Sequence, residues 1–269
     1  MLSNEVIYFE KKRATMSNPF LTPDGKYLLT GATFTLVPPP PPIVIPEPII
    51  PANAFTVDMM KANWAMNWDQ GTPGSATGTS IYPFTLPDGT IVRRNDFTDV
   101  KNGGFIYHAQ ALANSSAYNS FCYETVLSAP APSGWGNVEN LEMDLEHVYA
   151  NGTYVDLAMQ LAGSTGFVMV TESKKWVNTK IPANPSLWQP TILYTTRLYT
   201  HDNGDGTVIY VGAYVNGVYT VIGITIGSLD AGPWAANDLN VQFQLDGKSA
   251  GSVESIVDIH VMKIHMWKI

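Results

Sequence analysis

The chain has 269 residues, 45% of them hydrophobic and 14% charged, with a formal charge of −8. That composition supplies apolar mass for a sizeable core and little charge for long solvated helices, and its acidity argues against nucleic acid or an anionic membrane as the main partner. A single cysteine, Cys122, excludes an internal disulfide framework, and no apolar run approaches the roughly 18 residues of a membrane span.

Residues 1–37 read as an N-terminal anchoring arm. Short strands are expected at Val6–Phe9, Tyr27–Leu29 and Thr33–Val37, with a turn at Thr22-Pro23-Asp24-Gly25. Lys11-Lys12-Arg13 follows the short apolar run Val6-Ile7-Tyr8-Phe9, the reverse of the order in a secretory signal, so no signal peptide is expected. A piece this small cannot bury a core of its own. Val6, Tyr8 and Phe9 are therefore candidate contacts with a protein scaffold.

Residues 38–51 form a proline-rich linker. Proline fixes φ and removes a donor, so the segment is expected as extended polyproline II, about 3.1 Å per residue and roughly 40 Å in all. A solvated spacer has no need of Ile43, Val44, Ile45, Ile49 and Ile50. Pro38, Pro42, Ile43 and Ile45 accordingly join the candidate partner contacts.

From residue 52 to 269 strands and turns alternate at regular intervals, the pattern of a sandwich or barrel. Phe55 to Trp68 is strand or irregular, Gly71 to Ser80 a loop, and Pro87-Asp88-Gly89 a turn into Ile91-Val92. Strands follow at Phe105–Tyr107 and Ser120–Leu127, then a loop from Ser128 to Gly136 holding Trp135. Beyond the central stretch come Gly166–Val170, Trp176-Val177 and a proline-rich connection around Trp188. Thr191–Thr200 and Thr207–Val215 flank a hairpin turn at 201–206, and Asn216-Gly217 turns the chain into Tyr219–Ile226. Asn240–Leu245 and Ser255–Trp267 close the chain, and no stretch has helical periodicity.

The central stretch is a hairpin with one apolar and one acidic face. Leu141, Met143 and Leu145 alternate with Glu142, Asp144 and Glu146; Val155, Leu157, Met159 and Leu161 alternate with Tyr154, Asp156, Ala158 and Gln160. A two-residue Asn151-Gly152 turn would mix the faces. A three-residue loop, Asn151-Gly152-Thr153 with Gly152 at positive φ, keeps them apart and predicts Glu146 opposite Ala158, Asp144 opposite Gln160 and Leu145 opposite Met159. The late stretch Leu239 to Asp246 repeats the alternation, with Gln242 and Gln244 on the polar side. Planar acids and amides pair with sugar hydroxyls, which makes Glu142, Asp144, Glu146, Asp156, Gln160, Gln242 and Gln244 candidate carbohydrate ligands. Trp135 and Trp188, both in loops, are candidate stacking platforms.

In this pattern of some 215 residues, with its central acidic strand, its late Val241-Gln242-Phe243-Gln244-Leu245-Asp246 strand and a final strand ending at Trp267, the chain resembles the concanavalin A-like lectin/glucanase superfamily. The resemblance implies an all-β fold: a two-sheet antiparallel jelly-roll sandwich over 52–269, preceded by the extended arm and linker. Within it, Glu142-Met143-Asp144-Leu145-Glu146 is similar to the Glu-x-Asp-x-Glu signature of glycoside hydrolase family 16, the laminarinase and lichenase group. That likeness implies Glu142 as nucleophile, Asp144 as its assistant and Glu146 as acid/base. Two carboxyls about 5–5.5 Å apart serve retaining hydrolysis, whereas positions i and i+4 on a strand lie about 13 Å apart at Cα.

Other motifs point elsewhere. Asp202-Asn203-Gly204-Asp205-Gly206 departs from calcium-loop spacing and reads as a hairpin turn. His260 and His265, five apart on a strand, are expected on opposite faces, and His108 and His201 have no ligand-spaced partner. Cys122 reads as a core thiol. No metal site and no cofactor are expected. Three functions stay open: a non-catalytic carbohydrate-binding or decoration module displayed on a larger assembly through its arm, a retaining endo-β-glucanase, and a purely structural decoration protein. The first is preferred, with a glycan and a protein scaffold as partners, a homo-oligomeric or symmetric host, and synthesis in the cytoplasm followed by incorporation into a virus particle or surface assembly.

Overall fold

The computed structural model describes residues 20–21, 27–28, 45–61, 64–68, 76–101, 104–112, 115–130, 138–163, 165–183, 192–230, 235–247, 250–251 and 255–269. It divides into two compact units, Met1–Val44 and Ile45–Ile269. In the first, Phe20–Leu21 (β1) pairs antiparallel with Tyr27–Leu28 (β2). The strands expected at Val6–Phe9 and Thr33–Val37, and the contacts assigned to Val6, Tyr8, Phe9, Pro38, Pro42 and Ile43, lie outside the described residues.

The second unit is built of strands. In chain order they are β3 (Phe55–Asp58), β4 (Trp64–Trp68), β5 (Ala76–Thr85), β6 (Ile91–Lys101), β7 (Gly104–Leu112), β8 (Ser120–Ser128), β9 (Val138–Val148) and β10 (Tyr154–Ala162). They continue as β11 (Phe167–Glu172), β12 (Lys175–Pro182), β13 (Tyr194–Asp202), β14 (Thr207–Val215), β15 (Val218–Gly227), β16 (Leu239–Gly247), β17 (Ala250–Gly251) and β18 (Ser255–Trp267). One sheet runs β12-β11-β10-β9-β16-β7-β4; the other runs β15-β14-β13-β8-β18-β6-β17, with β3 on β18 and β5 on β6. No helix among the described residues is long and apolar enough to cross a membrane.

Connectivity makes this a jelly roll. The chain passes from β6 in the nine-stranded sheet to β7 in the seven-stranded one, then to β8 and β9 in the same alternation. The late strands fill the gaps: β16 lies antiparallel between β7 and β9, and β18 between β6 and β8. That nested return is the two-sheet antiparallel jelly-roll sandwich expected from the sequence. Leu141, Met143 and Leu145 of β9 and Val241, Phe243 and Leu245 of β16 meet Tyr123, Leu127, Ile259, Met262 and Ile264 of the other sheet in one buried cluster.

Two expectations change. Residues 76–80 were assigned to a loop on their glycine and proline signals, yet they begin β5. Among the described residues β5 pairs with β6 alone, and its register shifts at Thr77/Gly78 and between Ile81 and Phe84. Glycine and proline are tolerated at such bulges on a sheet edge, and the threonines between them favour a strand. His260 and His265 share a face rather than opposing one another, because a β-bulge between Ile259 and Val261 inserts one residue into β18. They bond separately: His260 to Ser128 at 2.8 Å, His265 to Thr56 at 2.9 Å and Glu124 at 3.4 Å. Cys122 is fully buried, as expected of a core thiol, and alternation with Phe121 and Tyr123 points it to the outer face of the nine-stranded sheet rather than into the inter-sheet cluster.

On that outer face Arg197 lies between two carboxylates, Nε donating to Glu124 at 2.7 Å and Nη1 to Glu47 at 2.9 Å, with its guanidinium 4.7 Å from the centre of the Tyr214 ring. The Tyr199 hydroxyl also donates to Glu47, at 2.5 Å. Glu124, bonded by His265 and Arg197, has its carboxyl pulled down to about 2. Glu47 belongs to the proline-rich stretch, so the end of that stretch is docked on its own domain, while Ile45 beside it stays half exposed.

The 201–206 hairpin turn is as expected. Asp202 accepts from the Gly204 N–H at 2.8 Å and Asp205 from the Thr207 N–H at 3.0 Å, so both acids stabilise the turn itself.

Candidate functional site

β9 sits at the middle of the seven-stranded sheet, and its polar face carries the acidic motif. Residues directly opposite in antiparallel strands share a face. Across β10, β9 and β16 this gives three rows: Asp156–Glu146–Asn240, Ala158–Asp144–Gln242 and Gln160–Glu142–Gln244. The division into an apolar and a polar face is the one read from the sequence, and the β9–β10 register is two residues away from it.

The loop explains the difference. Tyr149 N–H donates to the Thr153 carbonyl at 2.8 Å and Gly152 N–H to the Tyr149 carbonyl at 2.9 Å, so the three loop residues are Ala150, Asn151 and Gly152. Gly152 has φ +83° and comes last, as a type I turn closed by a left-handed residue requires. Asn151 turns inward to accept from the Thr153 N–H at 3.1 Å and Oγ1 at 2.8 Å. Moving a three-residue loop by one position preserves face parity and shifts every partner by two.

The face is a network of amides donating to acids. Gln160 Nε2 donates to Glu142 at 3.0 Å and to Asp246 at 3.3 Å; Gln244 donates to Asp246 at 2.7 Å; Asn240 donates to Glu146, which Gln242 also serves. Asp144 is 8% exposed, and its Oδ1 has no hydrogen-bond partner.

Burial dominates the titration of the cluster. It pushes the Glu142 carboxyl up to about 8, with the charge of Asp246 adding to the effect. Asp144 is raised well above the carboxylate range by burial and then by Glu142, Asp156 and Glu146. Burial also raises Glu146 and Asp156, opposed at Asp156 by Lys174. Together the group holds protons that isolated carboxyls would have lost.

Over these side chains opens a pocket of about 300 Å³ lined by Glu142, Asp144, Glu146, Asp156, Ala158, Thr171, Lys174 and Trp176. Ala158 makes the hole, because it stands opposite Asp144 with almost no side chain to fill the row. Thr171 holds the wall: its hydroxyl accepts from the Ala158 N–H and donates to the Asp156 carbonyl, both at 2.9 Å, and it meets the Tyr210 hydroxyl from the opposite sheet at 2.9 Å.

Lys174 and Trp176 form the rim. Glu172 pairs with Lys175, leaving Ser173 and Lys174 as a two-residue turn with φ of +52° and +63°. Such turns usually carry Asn or Gly, since other residues pay of order 1 kcal/mol for the left-handed region. The Lys174 Nζ sits 5.7 Å from the centre of the Tyr154 ring, and Trp176 is 40% exposed.

The structure thus brings Glu142, Asp144, Glu146 and Asp156 into one pocket and places Gln160, Gln242 and Gln244 beside it on the same face. Trp135 and Trp188, the platforms expected from the sequence, lie outside the described residues. Thr171, Lys174 and Trp176 had no signal as site residues, because the β11–β12 turn lacks Asn or Gly; Ala158 stood on the polar side of the alternation but offers no polar group to mark it. Asn240 stood in the alternation and was legible there. Among the described residues no group of three His, Cys, Asp or Glu side chains is arranged to hold a metal ion.

No protein-family model matches the sequence, and no curated protein does. Among solved structures the fold is similar to arcelin-5, a lectin-like defense protein from Phaseolus vulgaris, with 9% identity, 81% of this chain and 100% of that chain covered, and a TM-score of 0.46. It is also similar to an endo-1,3-beta-glucanase from Streptomyces sioyaensis, with 13% identity, coverages of 83% and 100%, and a TM-score of 0.42. A third likeness is to carbohydrate-binding module CBM66 from Bacillus subtilis, with 10% identity, coverages of 75% and 95%, and a TM-score of 0.34. At TM-scores below 0.5 none of these likenesses carries an activity or a ligand over to this chain.

Proposed function

We propose that this jelly roll is a carbohydrate-binding domain and that the pocket on its seven-stranded sheet receives the sugar. The observation that carries this reading is the pairing of a floor of acids, flanked on the same face by the amides that bond them, with a half-exposed indole, Trp176, at the rim. Hydroxyls in the ring plane would meet Glu142, Glu146, Asp156 and their amide partners, and the ring face would lie on Trp176. A glycan-array screen followed by calorimetry tests it. Trp176→Ala should weaken binding roughly tenfold, matching about 1–2 kcal/mol of lost ring burial. Binding unchanged by that substitution and by Ala158→Met would place the sugar elsewhere.

In this reading residues 1–44 carry the domain on a protein scaffold in a symmetric assembly, such as a virus particle put together in the cytoplasm. Removing that unit should abolish assembly and leave glycan binding intact.

A second reading, a retaining glycoside hydrolase, draws on Glu146 and Asp156. They are direct cross-strand partners, so their Cβ atoms are about 4.5–5.5 Å apart, a spacing that lets two carboxyls approach as retaining hydrolysis needs. Glu142 suits the nucleophile role poorly, because a carboxyl pushed up to about 8 is mostly protonated at neutral pH. Reducing-sugar release from β-glucans that disappears in Glu146→Gln would establish the hydrolase.

A further inference from the structure

We propose that the pocket selects a cationic sugar, seating the ammonium of an amino-sugar residue against Asp144 and its neighbouring hydroxyls on the flanking side chains. This rests on the carbohydrate reading above and names the class of sugar.

The argument begins with an imbalance of donors and acceptors. Among the described residues the pocket lining holds four carboxyls against one ammonium, that of Lys174, which is turned to Tyr154 at the rim. The amides around it are already committed. Gln160 serves Glu142 and Asp246, Asn240 and Gln242 serve Glu146, and Gln244 serves Asp246. Gln242 is the cross-strand partner of Asp144 yet bonds to Glu146, and on the other side Ala158 has nothing to give. Asp144 is therefore more than nine-tenths buried with Oδ1 lacking a partner, at the edge of the open volume.

Such a site calls for a donor rich in protons and positive in charge. A sugar hydroxyl brings one donor, whereas an ammonium brings three and offsets the mutual repulsion of Glu142, Asp144, Glu146 and Asp156. The volume, about 300 Å³, lies at the lower end of small-ligand pockets and suits one sugar unit with the rest of the chain over Trp176. A bare metal ion fits less well, since the described acids lack a coordinating arrangement. An arriving cation also favours ionised carboxyls, so binding should release protons.

The test is calorimetry on the full chain at pH 5.5, where the sugar amines are already charged so that only the carboxyls exchange protons, and physiological salt with three probes: a β-1,4-linked glucosamine hexasaccharide, its N-acetylated counterpart and a β-1,4-linked glucose hexasaccharide. The glucosamine probe should bind at least about tenfold tighter than either neutral one. Its apparent enthalpy should vary with the ionisation enthalpy of the buffer, reporting proton release. Asp144→Asn keeps the shape and removes the charge, and should weaken the glucosamine probe roughly 10- to 100-fold, the range for a bond to a charged group. Ala158→Met, which fills the hole, should weaken all three.

Neutral probes that bind as well as the amino sugar, with Ala158→Met still blocking them, would overturn the amino-sugar inference and leave the carbohydrate reading standing. Failure of all three probes would overturn the amino-sugar inference, and only a glycan array without a single ligand would overturn the carbohydrate reading with it. Glucosamine binding insensitive to Asp144→Asn and Ala158→Met would be diffuse attraction to an acidic surface, and would also overturn it.

Discussion

Asp144 and Glu142 are placed where an acid is costly to ionise, and this has a consequence for the fold that needs no ligand. The Glu142 carboxyl rises from 4.5 to about 8 on folding, so the folded chain holds its proton more tightly than the unfolded one. Where the folded state binds more protons, stability falls as pH rises. The contribution is present in full below about 4.5 and is lost progressively up to about 8. Glu142→Gln should therefore be more stable than the parent at pH 8, by an amount on the order of a few kcal/mol, and nearly equal at pH 4. Denaturant titrations at the two pH values measure it, and a parent whose stability does not fall across that window would contradict the burial argument. Glu124 behaves oppositely: held at about 2, its contribution is present above about 4.5 and lost as pH falls towards 2. The sequence made Glu142, Asp144 and Glu146 visible through strict alternation with Leu141, Met143 and Leu145. It said nothing of which carboxyl would lack a donor, because that depends on Gln242 turning to Glu146 across the sheet.

At the scale of elements, the strands were largely legible and two loops were not. Alternation marked β9, β10 and β16, since each has one face in the common core. Asn216-Gly217 marked its two-residue turn, and both residues take positive φ there, +42° and +92°. Ser173-Lys174 adopts the same kind of turn without the residues that favour it, so the hairpin that brings Trp176 to the pocket left no local signal. Strain of this kind persists where surrounding structure imposes it, and it often marks a functional edge. Replacing Ser173 and Lys174 by Asn and Gly should relieve it. The double variant is expected to be more stable by about 1–2 kcal/mol and, having lost the rim ammonium, to bind a glucosamine oligomer at least as tightly. Thermal unfolding and calorimetry check the two halves. A drop in stability would mean that the Lys174 contact with Tyr154 outweighs the backbone cost.

For the whole molecule the open question is where the folded domain begins. Composition places the change after Pro51, because proline content falls there, whereas the compact unit begins at Ile45. Glu47 is the physical reason: it bonds Arg197 and Tyr199 on the outer face of the nine-stranded sheet, close to the fully buried Cys122 thiol, which burial and nearby carboxylates push far up. Both partners of the Glu47–Arg197 pair are about a quarter exposed, so the ion pair itself is worth at most about 1 kcal/mol. The Tyr199 bond adds about 1 kcal/mol. A chain starting at residue 45 should thus melt with the parent domain, and one starting at residue 52 should lose about 1–2 kcal/mol, roughly 2–8 °C in Tm for a domain of this size. Cys122 supplies an independent readout, since it should react with a thiol reagent under native conditions only in the shorter chain. Equal melting with equal thiol protection would mean that residues 45–51 only rest on the sheet, returning them to the linker. Unequal behaviour would establish residues 45–51 as part of the folded domain, held at Glu47 on the outer face of the nine-stranded sheet.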